Sequence, residues 1–309
     1  MMGMTITGMV RRSLVSAWAG AAFLLLPAGA EAAPVGVEAV TAYVLDHSEV
    51  RTMHAAAGDS YRIYVQRPAT PPPPGGYPIL YLLDGDQSFP VAAAIAGQFG
   101  PYLGLEPGVI VAIGYGGPSR RVADYTPPVP IEARLDKSLP RSGGADRLLA
   151  FIADELRPAV ERDLPVDPDR RTIAGYSLGG LFVLHAFFAR PQLFHSYVAS
   201  SPSIWLVRDH LFRAADASAQ RRPAFARRRL LLSAGQWEET PDPGASAADH
   251  ERLAQAHMIG NARNLSRRLA TLPGLTVRFD IVPGETHASG SLPSIRAALV
   301  EAFSPRPAP

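Results

Sequence analysis

The pentapeptide Gly175-Tyr176-Ser177-Leu178-Gly179 is the segment of this chain whose residue types and spacing most clearly suggest chemistry. In a G-x-S-x-G turn the chain passes sharply from strand to helix and exposes the serine hydroxyl, and glycine is needed two residues to either side because larger side chains would collide. Short patterns of this kind also arise by chance, so context matters. An apolar strand at 172–174 and an apolar helix at 178–189 flank this one. We predict that Ser177 is a nucleophile.

A serine nucleophile needs a base, and enzymes with this turn supply their groups in the chain order Ser, acid, His. Of the eight histidines, only His287 follows the last predicted strand, in the loop 283–287. The others precede the predicted sheet, lie on predicted helices or flank the starts of strands and helices. We therefore predict that His287 is the base.

The acid of such a triad is expected after the preceding strand, where the apolar run 230–233 leads into a loop. A buried carboxylate there would fix the imidazole tautomer and stabilise the imidazolium. Glu238 and Glu239 both stand at this corner, and Asp242 is a later option. Spacing alone leaves this choice open.

Two backbone N–H groups are needed to stabilise the oxyanion. We expect one from Leu178, directly after the nucleophile, and the other from Asp86, in the loop after the strand at 79–83. Asp84 and Asp86 beside that strand also raise the possibility of a metal site. With no histidine or third carboxylate nearby, no metal or other cofactor is predicted.

The predicted elements that position these groups form a mostly parallel α/β sheet, because buried apolar strands alternate with helices. Residues 61–65 alternate like an outer strand, and the long segment 115–145 has the composition of a lid or binding loop. The predicted buried strands are 79–83, 109–113, 172–174, 197–200, 230–233 and 276–282. The predicted helices are 146–163, 178–189, 247–269 and 295–303.

Composition narrows the function classes. The 309 residues are 47% hydrophobic and 19% charged, with a formal net charge of only +2, which gives no support to nucleic-acid binding. The chain has no cysteine, which excludes disulfides, a cysteine nucleophile and cysteine-ligated metals. A length of this order suits one large α/β domain.

The N-terminus has the features of a secretory leader. Arg11 and Arg12 precede an apolar stretch at 13–26, and Ala30-Glu31-Ala32 matches a cleavage site. We predict a signal peptide at 1–32, a single mature domain at 33–309 with its core at about 61–303, and a periplasmic or secreted protein. The alternative is an uncleaved anchor. No later segment is apolar enough to cross a bilayer.

Several segments together resemble the putative-esterase family of α/β hydrolases, nearest the branch of periplasmic siderophore esterases that cleave enterobactin and salmochelin. The resemblance covers about residues 61–303, most of the predicted mature chain. The matching segments are 81–86, 124–127, 143–147, 174–180, 201–205 and 284–287.

The resemblance implies the α/β-hydrolase fold and carboxylic-ester hydrolysis, with Ser177 and His287 in the matching roles. It favours Glu238 over Glu239 as the acid, although some members of the family use a Ser-His dyad. The segment 120–127 resembles a substrate-side loop, so Arg120, Arg121 and Tyr125 are expected to contact a small-molecule ester. Cationic arginines there would suit an acidic or catecholate substrate.

Two other functions remain compatible with these residues. An acyltransferase would use the same triad with another acceptor in place of water. An envelope binding protein could be built on an inactive hydrolase scaffold, although the intact Ser177 and His287 argue against it.

Overall fold

The structure is a computed structural model that describes residues 42–130, 142–240, 242 and 244–305. The predicted signal peptide and part of the predicted lid segment lie outside these residues. Within the described segments, no helix has both the length and the apolar character needed to cross a membrane.

An eight-stranded sheet runs through the part of the chain that follows Val44, in the order β1-β2-β4-β3-β5-β6-β7-β8. The β1–β2 and β2–β4 pairs are antiparallel, and every other pair is parallel. The strands are β1 (Ser48–His54), β2 (Ser60–Gln66), β3 (Tyr77–Leu82), β4 (Val109–Gly114), β5 (Val166–Tyr176), β6 (Ser196–Ser200), β7 (Arg229–Gly235) and β8 (Thr276–Val282).

Helices follow most of the strands. The α-helices of the described segments are α1 (Gly85–Ala94), α2 (Arg121–Tyr125), α3 (Ala145–Ala150), α4 (Arg157–Glu161), α5 (Leu178–Ala189), α6 (Arg208–Ser218), α7 (Arg222–Phe225), α8 (Ala247–Ala256), α9 (Met258–Leu269) and α10 (Ser291–Phe303). Two π-helical segments extend them, Ile95–Phe99 after α1 and Phe151–Leu156 between α3 and α4, and short 3₁₀ turns occur at Pro101–Leu103, Ile204–Val207 and Ala219–Arg221.

Both faces of the central strands are buried, which is why their sequences are continuously apolar. On one face, alternate strand residues such as Tyr81 and Ile173 pack with α5, whose residues are apolar almost all round. On the other, Leu80 and Ala174 pack with α1 and α10. The predicted α/β fold is confirmed.

The structure differs from the sequence interpretation in several places. The strand β1 and the helices α1, α6 and α7 were not predicted, and α2 lies inside the segment expected to be a lid or binding loop. The predicted helix 146–163 consists of α3 and α4 joined by a π-helical segment. The predicted helix 247–269 is two helices, because His257 between them has a left-handed backbone conformation, with φ of 45°.

Parallel strands place their carboxyl ends at one edge of the sheet. The chain leaves that edge after β3 into α1, after β5 into α5, after β7 into the loop that carries Glu238 and after β8 into the loop that carries His287. The predicted nucleophile, acid and base therefore converge on this edge, although they come from distant parts of the sequence.

Candidate active site

Ser177 occupies the sharp turn between β5 and α5, with φ of 59° and ψ of −117°. This backbone conformation is strained for a residue with a side chain, and such strain is found mainly at functional sites. A Cβ atom on Gly175 would lie 2.5 Å from the backbone of Gly179, and one on Gly180 would lie 2.9 Å from the Ser200 carbonyl oxygen. The turn can form only because these positions are glycine.

His287 reaches the Ser177 hydroxyl from the loop after β8. Its Nε2 atom lies 3.0 Å from Ser177 Oγ, which is hydrogen-bonding distance. The imidazole side chain is 41% exposed, so a substrate can approach it. The structure brings together the predicted nucleophile and base in the geometry that proton transfer requires.

Glu238 stands on the other side of the imidazole and is fully buried. Its Oε1 atom lies 3.5 Å from His287 Nδ1, close enough for an ion pair but beyond the usual N–H···O hydrogen bond. Oε1 instead accepts the Ser201 hydroxyl at 2.6 Å. Glu238 Oε2 and His287 Nδ1 are buried without a hydrogen-bond partner among the described residues. Two complementary buried groups are thus left slightly too far apart, as is common in unliganded active sites.

Glu239 and Asp242 point to other contacts. The Glu239 carboxylate accepts the Gly260 N–H and lies 3.4 Å from His257 Nδ1, so it holds the first turn of α9. Asp242 accepts the Gly244 N–H within its own loop. Of the three candidate acids, only Glu238 adjoins His287.

Tyr176 links the base to the acid, a role that the sequence did not reveal. Its hydroxyl lies 2.8 Å from the His287 carbonyl oxygen and 3.3 Å from Glu238 Oε1, and both atoms are acceptors. Burial raises the pKa of Tyr176, so the phenol keeps the proton that it donates. The only sequence signal was its place inside the G-x-S-x-G segment.

The two predicted oxyanion donors both lie in the first turn of a helix, Leu178 in α5 and Asp86 in α1. N–H groups in a first turn have no acceptor within their helix and carry a partial positive charge. The Asp86 carboxylate accepts the N–H groups of Tyr115 and Gly116 at 2.7 and 3.1 Å. It therefore fixes the start of α1 to the loop after β4.

Asp86 remains charged in this setting. Burial favours the neutral acid, but hydrogen bonds from the Tyr115 N–H, the Tyr64 hydroxyl and the Gly116 N–H outweigh it and lower the pKa of Asp86. The Tyr64 hydroxyl donates at 2.7 Å. The carboxylate thus has three donors of its own.

The predicted substrate-side residues are placed differently from one another. Arg121 lines the cavity, but its guanidinium donates to both oxygens of Asp84, at 3.0 and 3.2 Å, and to the Tyr176 carbonyl oxygen. Arg120 stacks on Tyr61 and Tyr115 and pairs with Asp59 and Asp124.

Tyr125 is fully buried, and its hydroxyl accepts the Asp84 N–H at 3.1 Å. Neither Tyr125 nor Arg120 lines the cavity. The expectation of direct substrate contact therefore does not hold for these two residues in this structure, because the segment at 121–125 is a packed helix rather than an open loop.

A cavity of about 830 Å³ opens at the carboxyl edge of the sheet and includes Ser177 and His287. This volume is in the range of pockets that bind small organic ligands. Its wall carries charged groups, among them Arg62 and Asp86, and an apolar part contributed by Val91, Leu292 and Ile295. The described residues contain no cluster of three or more His, Asp or Glu side chains suited to hold a metal ion.

Comparison with known proteins identifies the family of this chain. Residues 54–270 match the family described as Putative esterase. The ferri-bacillibactin esterase BesA of Bacillus subtilis is 35% identical over 80% of this chain and 86% of its own length. The siderophore triacetylfusarinine C esterase of Aspergillus fumigatus is 33% identical over 75% of this chain and 84% of its own.

Solved structures show the same likeness. The siderophore hydrolase EstB of Aspergillus nidulans is 28% identical, superposes with a TM-score of 0.75, and is matched over 87% of this chain and all of its own. The predicted resemblance to the siderophore-esterase branch is confirmed. The chain therefore belongs to the Putative esterase family and is a carboxylic-ester hydrolase.

Proposed function

We propose that this protein hydrolyses its substrate through an acyl-enzyme formed on Ser177. The observation that carries the proposal is the 3.0 Å contact between His287 Nε2 and Ser177 Oγ beside a cavity. Ser177 Oγ attacks the ester carbonyl while its proton moves to His287. The imidazolium then gives that proton to the departing alcohol, and the C–O ester bond breaks. A water molecule, deprotonated by His287, attacks the acyl-enzyme; the bond from the acyl carbon to Ser177 Oγ breaks, and the imidazolium returns the proton to Oγ as the acid leaves.

The other predicted groups fit the charges that this reaction creates. The N–H groups of Leu178 and Asp86 would stabilise the oxyanion of each tetrahedral intermediate. The Glu238 carboxylate would stabilise the imidazolium once the 3.5 Å gap to Nδ1 closes. Tyr176 and Ser201 hold Glu238 Oε1 on the side that faces the imidazole.

The natural substrate that we propose is a siderophore ester. Two relatives support this proposal, a ferri-bacillibactin esterase and a siderophore triacetylfusarinine C esterase. The size of the cavity supports it as well. We expect the purified protein to cleave a catecholate triester such as enterobactin to its linear forms and monomer, detected by liquid chromatography and mass spectrometry.

Two controls define that experiment. Protein pretreated with a fluorophosphonate should release no product, and free acid rather than a new ester would distinguish hydrolysis from acyl transfer. If the enzyme turns over p-nitrophenyl butyrate but leaves catecholate and hydroxamate triesters intact, the siderophore part of the proposal is wrong and the esterase part stands.

We also propose that the protein is exported. The support is the arrangement of Arg11, Arg12, the apolar stretch 13–26 and Ala30-Glu31-Ala32. On expression of the full chain in a Gram-negative host, N-terminal sequencing of the protein from the envelope fraction should begin near Ala33. Recovery of the intact leader on cytosolic protein would contradict export, and recovery on membrane-bound protein would indicate an anchor.

A further inference from the structure

The charged side chains of the cavity wall differ in the partners that they have within the protein. Besides His287, the wall carries two cations, Arg62 and Arg121, and two anions, Asp84 and Asp86. Arg121 forms a two-pronged ion pair with Asp84. Asp86 accepts hydrogen bonds from two backbone N–H groups and from the Tyr64 hydroxyl. These three groups already have strong partners within the protein.

Arg62 differs from them. Its side chain is exposed, and within the described segments it makes no salt bridge with a carboxylate. Its charge acts on Asp86, and one side of the guanidinium interacts with the Tyr64 hydroxyl. A guanidinium has more N–H donors than this contact uses, so the others remain for a ligand or solvent.

The guanidinium of Arg62 is held in place by its neighbours. A Cβ atom on Gly116 would lie 2.9 Å from Arg62 Cδ and Nε and 3.1 Å from Cζ, so the end of the side chain lies against the Gly116 backbone. Gly116 has φ of 64°, a conformation that favours glycine. The arginine is therefore directed over the loop after β4 rather than away from the protein.

The strand order gives an approximate separation between the loop that this cation covers and the nucleophile. Arg62 pairs with Gly114 at the carboxyl end of β4, and β3 is the one strand between β4 and β5. Two strand spacings separate the loop after β4 from the end of β5, which amounts to roughly 10 Å. Ser177 follows directly after β5.

We propose that Arg62 binds an anionic oxygen of the substrate, carried at the far end of the molecule from the ester that Ser177 attacks. The proposal rests on the function proposed above and narrows it to esters with a carboxylate or similar anion roughly 10 Å from the scissile carbonyl. Arginine suits this task, since its planar cation offers paired N–H donors to two oxygens.

The wall of the same cavity also carries apolar side chains. Val91 from α1 and Leu292 and Ile295 from α10 line the same space, and Leu292 is 59% exposed. If an apolar part of the ligand covers Leu292, the apolar surfaces of both are removed from water, and this stabilises the complex. The cavity therefore suits an ester that carries an anion away from the scissile bond and presents some apolar surface to these side chains.

The test uses two substrates that differ only in that anion, mono-p-nitrophenyl suberate and its methyl ester. The measured quantity is the ratio of kcat/KM for the acid to kcat/KM for the methyl ester. Arg62→Gln is expected to lower this ratio about tenfold, because one charge-assisted contact is lost. Arg62→Lys should recover part of it, and higher salt should shrink the wild-type ratio.

Arg278→Gln is the matched control, because Arg278 is an exposed arginine on β8 that does not line the cavity. It should leave the ratio unchanged. A ratio that Arg62→Gln does not alter, or equal losses on both esters, would overturn the role of Arg62 while the esterase function stands. If the wild-type protein hydrolyses neither ester nor any simpler one, the proposed function fails and this inference fails with it.

Discussion

Replacement of Ser177 by alanine is expected to lower kcat on p-nitrophenyl butyrate by at least about 10³-fold, and His287→Ala should have an effect of the same order. The two residues form one proton-transfer unit, joined by the 3.0 Å contact between Oγ and Nε2. Removal of either leaves no activated nucleophile. The double variant should therefore be little worse than the single ones, since losses within a catalytic unit are not additive.

Labelling with a fluorophosphonate gives an independent measurement of the same prediction. Intact mass should increase by one adduct in the wild-type protein and not in Ser177→Ala. Ser218→Ala is a suitable control, because it removes a hydroxyl that donates to the Ala214 carbonyl oxygen within α6, outside the cavity. Wild-type turnover in Ser177→Ala, or an adduct on another residue, would show that the nucleophile has been assigned wrongly.

The sequence could identify Ser177 and His287 as candidates because their signals are short-range or ordered along the chain. The turn between β5 and α5 depends on glycines within a few residues of the serine, and the structure shows the backbone contacts that require Gly175 and Gly180. The histidine was selected by its place after the last strand, a consequence of topology. Both residues lie where these arguments expected them, and their catalytic roles remain predictions to be tested.

The surroundings of the site could not be predicted in the same way, because they depend on three-dimensional packing. Nothing in the residue types of Arg120 and Arg121 distinguishes them, yet Arg120 stacks on the rings of Tyr61 and Tyr115 while Arg121 faces the cavity. Arg62 lies on an outer strand and looked like any exposed arginine. Only the pairing of β2 with β4 brings it to the cavity.

The sequence could not decide between the adjacent glutamates Glu238 and Glu239 for the same reason. Successive residues of an irregular loop can point in opposite directions, and their own sequence does not determine which one faces the histidine. In the structure Glu238 is buried beside His287, whereas Glu239 holds the start of α9. The same substitution, Glu to Gln, is therefore expected to lower kcat at position 238 and to leave kcat unchanged at position 239.

Glu238→Gln is expected to lower kcat on the order of 10³-fold with little change in KM. The substitution keeps the shape of the side chain but removes the negative charge that would stabilise the imidazolium formed in each proton transfer. Burial strengthens the effect, because no solvent replaces the lost charge beside Nδ1. Tyr176 and Ser201, which both approach Oε1, would hold the new amide in the same place. The decrease in kcat would then measure the loss of the negative charge rather than a displacement of the side chain.

Glu239→Gln is the matched control, since it makes the same chemical change one residue further along the chain. Its carboxylate contacts Gly260 and His257, so we expect normal kcat and a small decrease in the free energy of unfolding, measured in urea. The 3.5 Å separation between Glu238 and His287 makes the result informative. A Glu238→Gln enzyme with wild-type kcat would mean that the gap does not close during catalysis, and that Ser177 and His287 work as a dyad with Glu238 serving only to hold the loop.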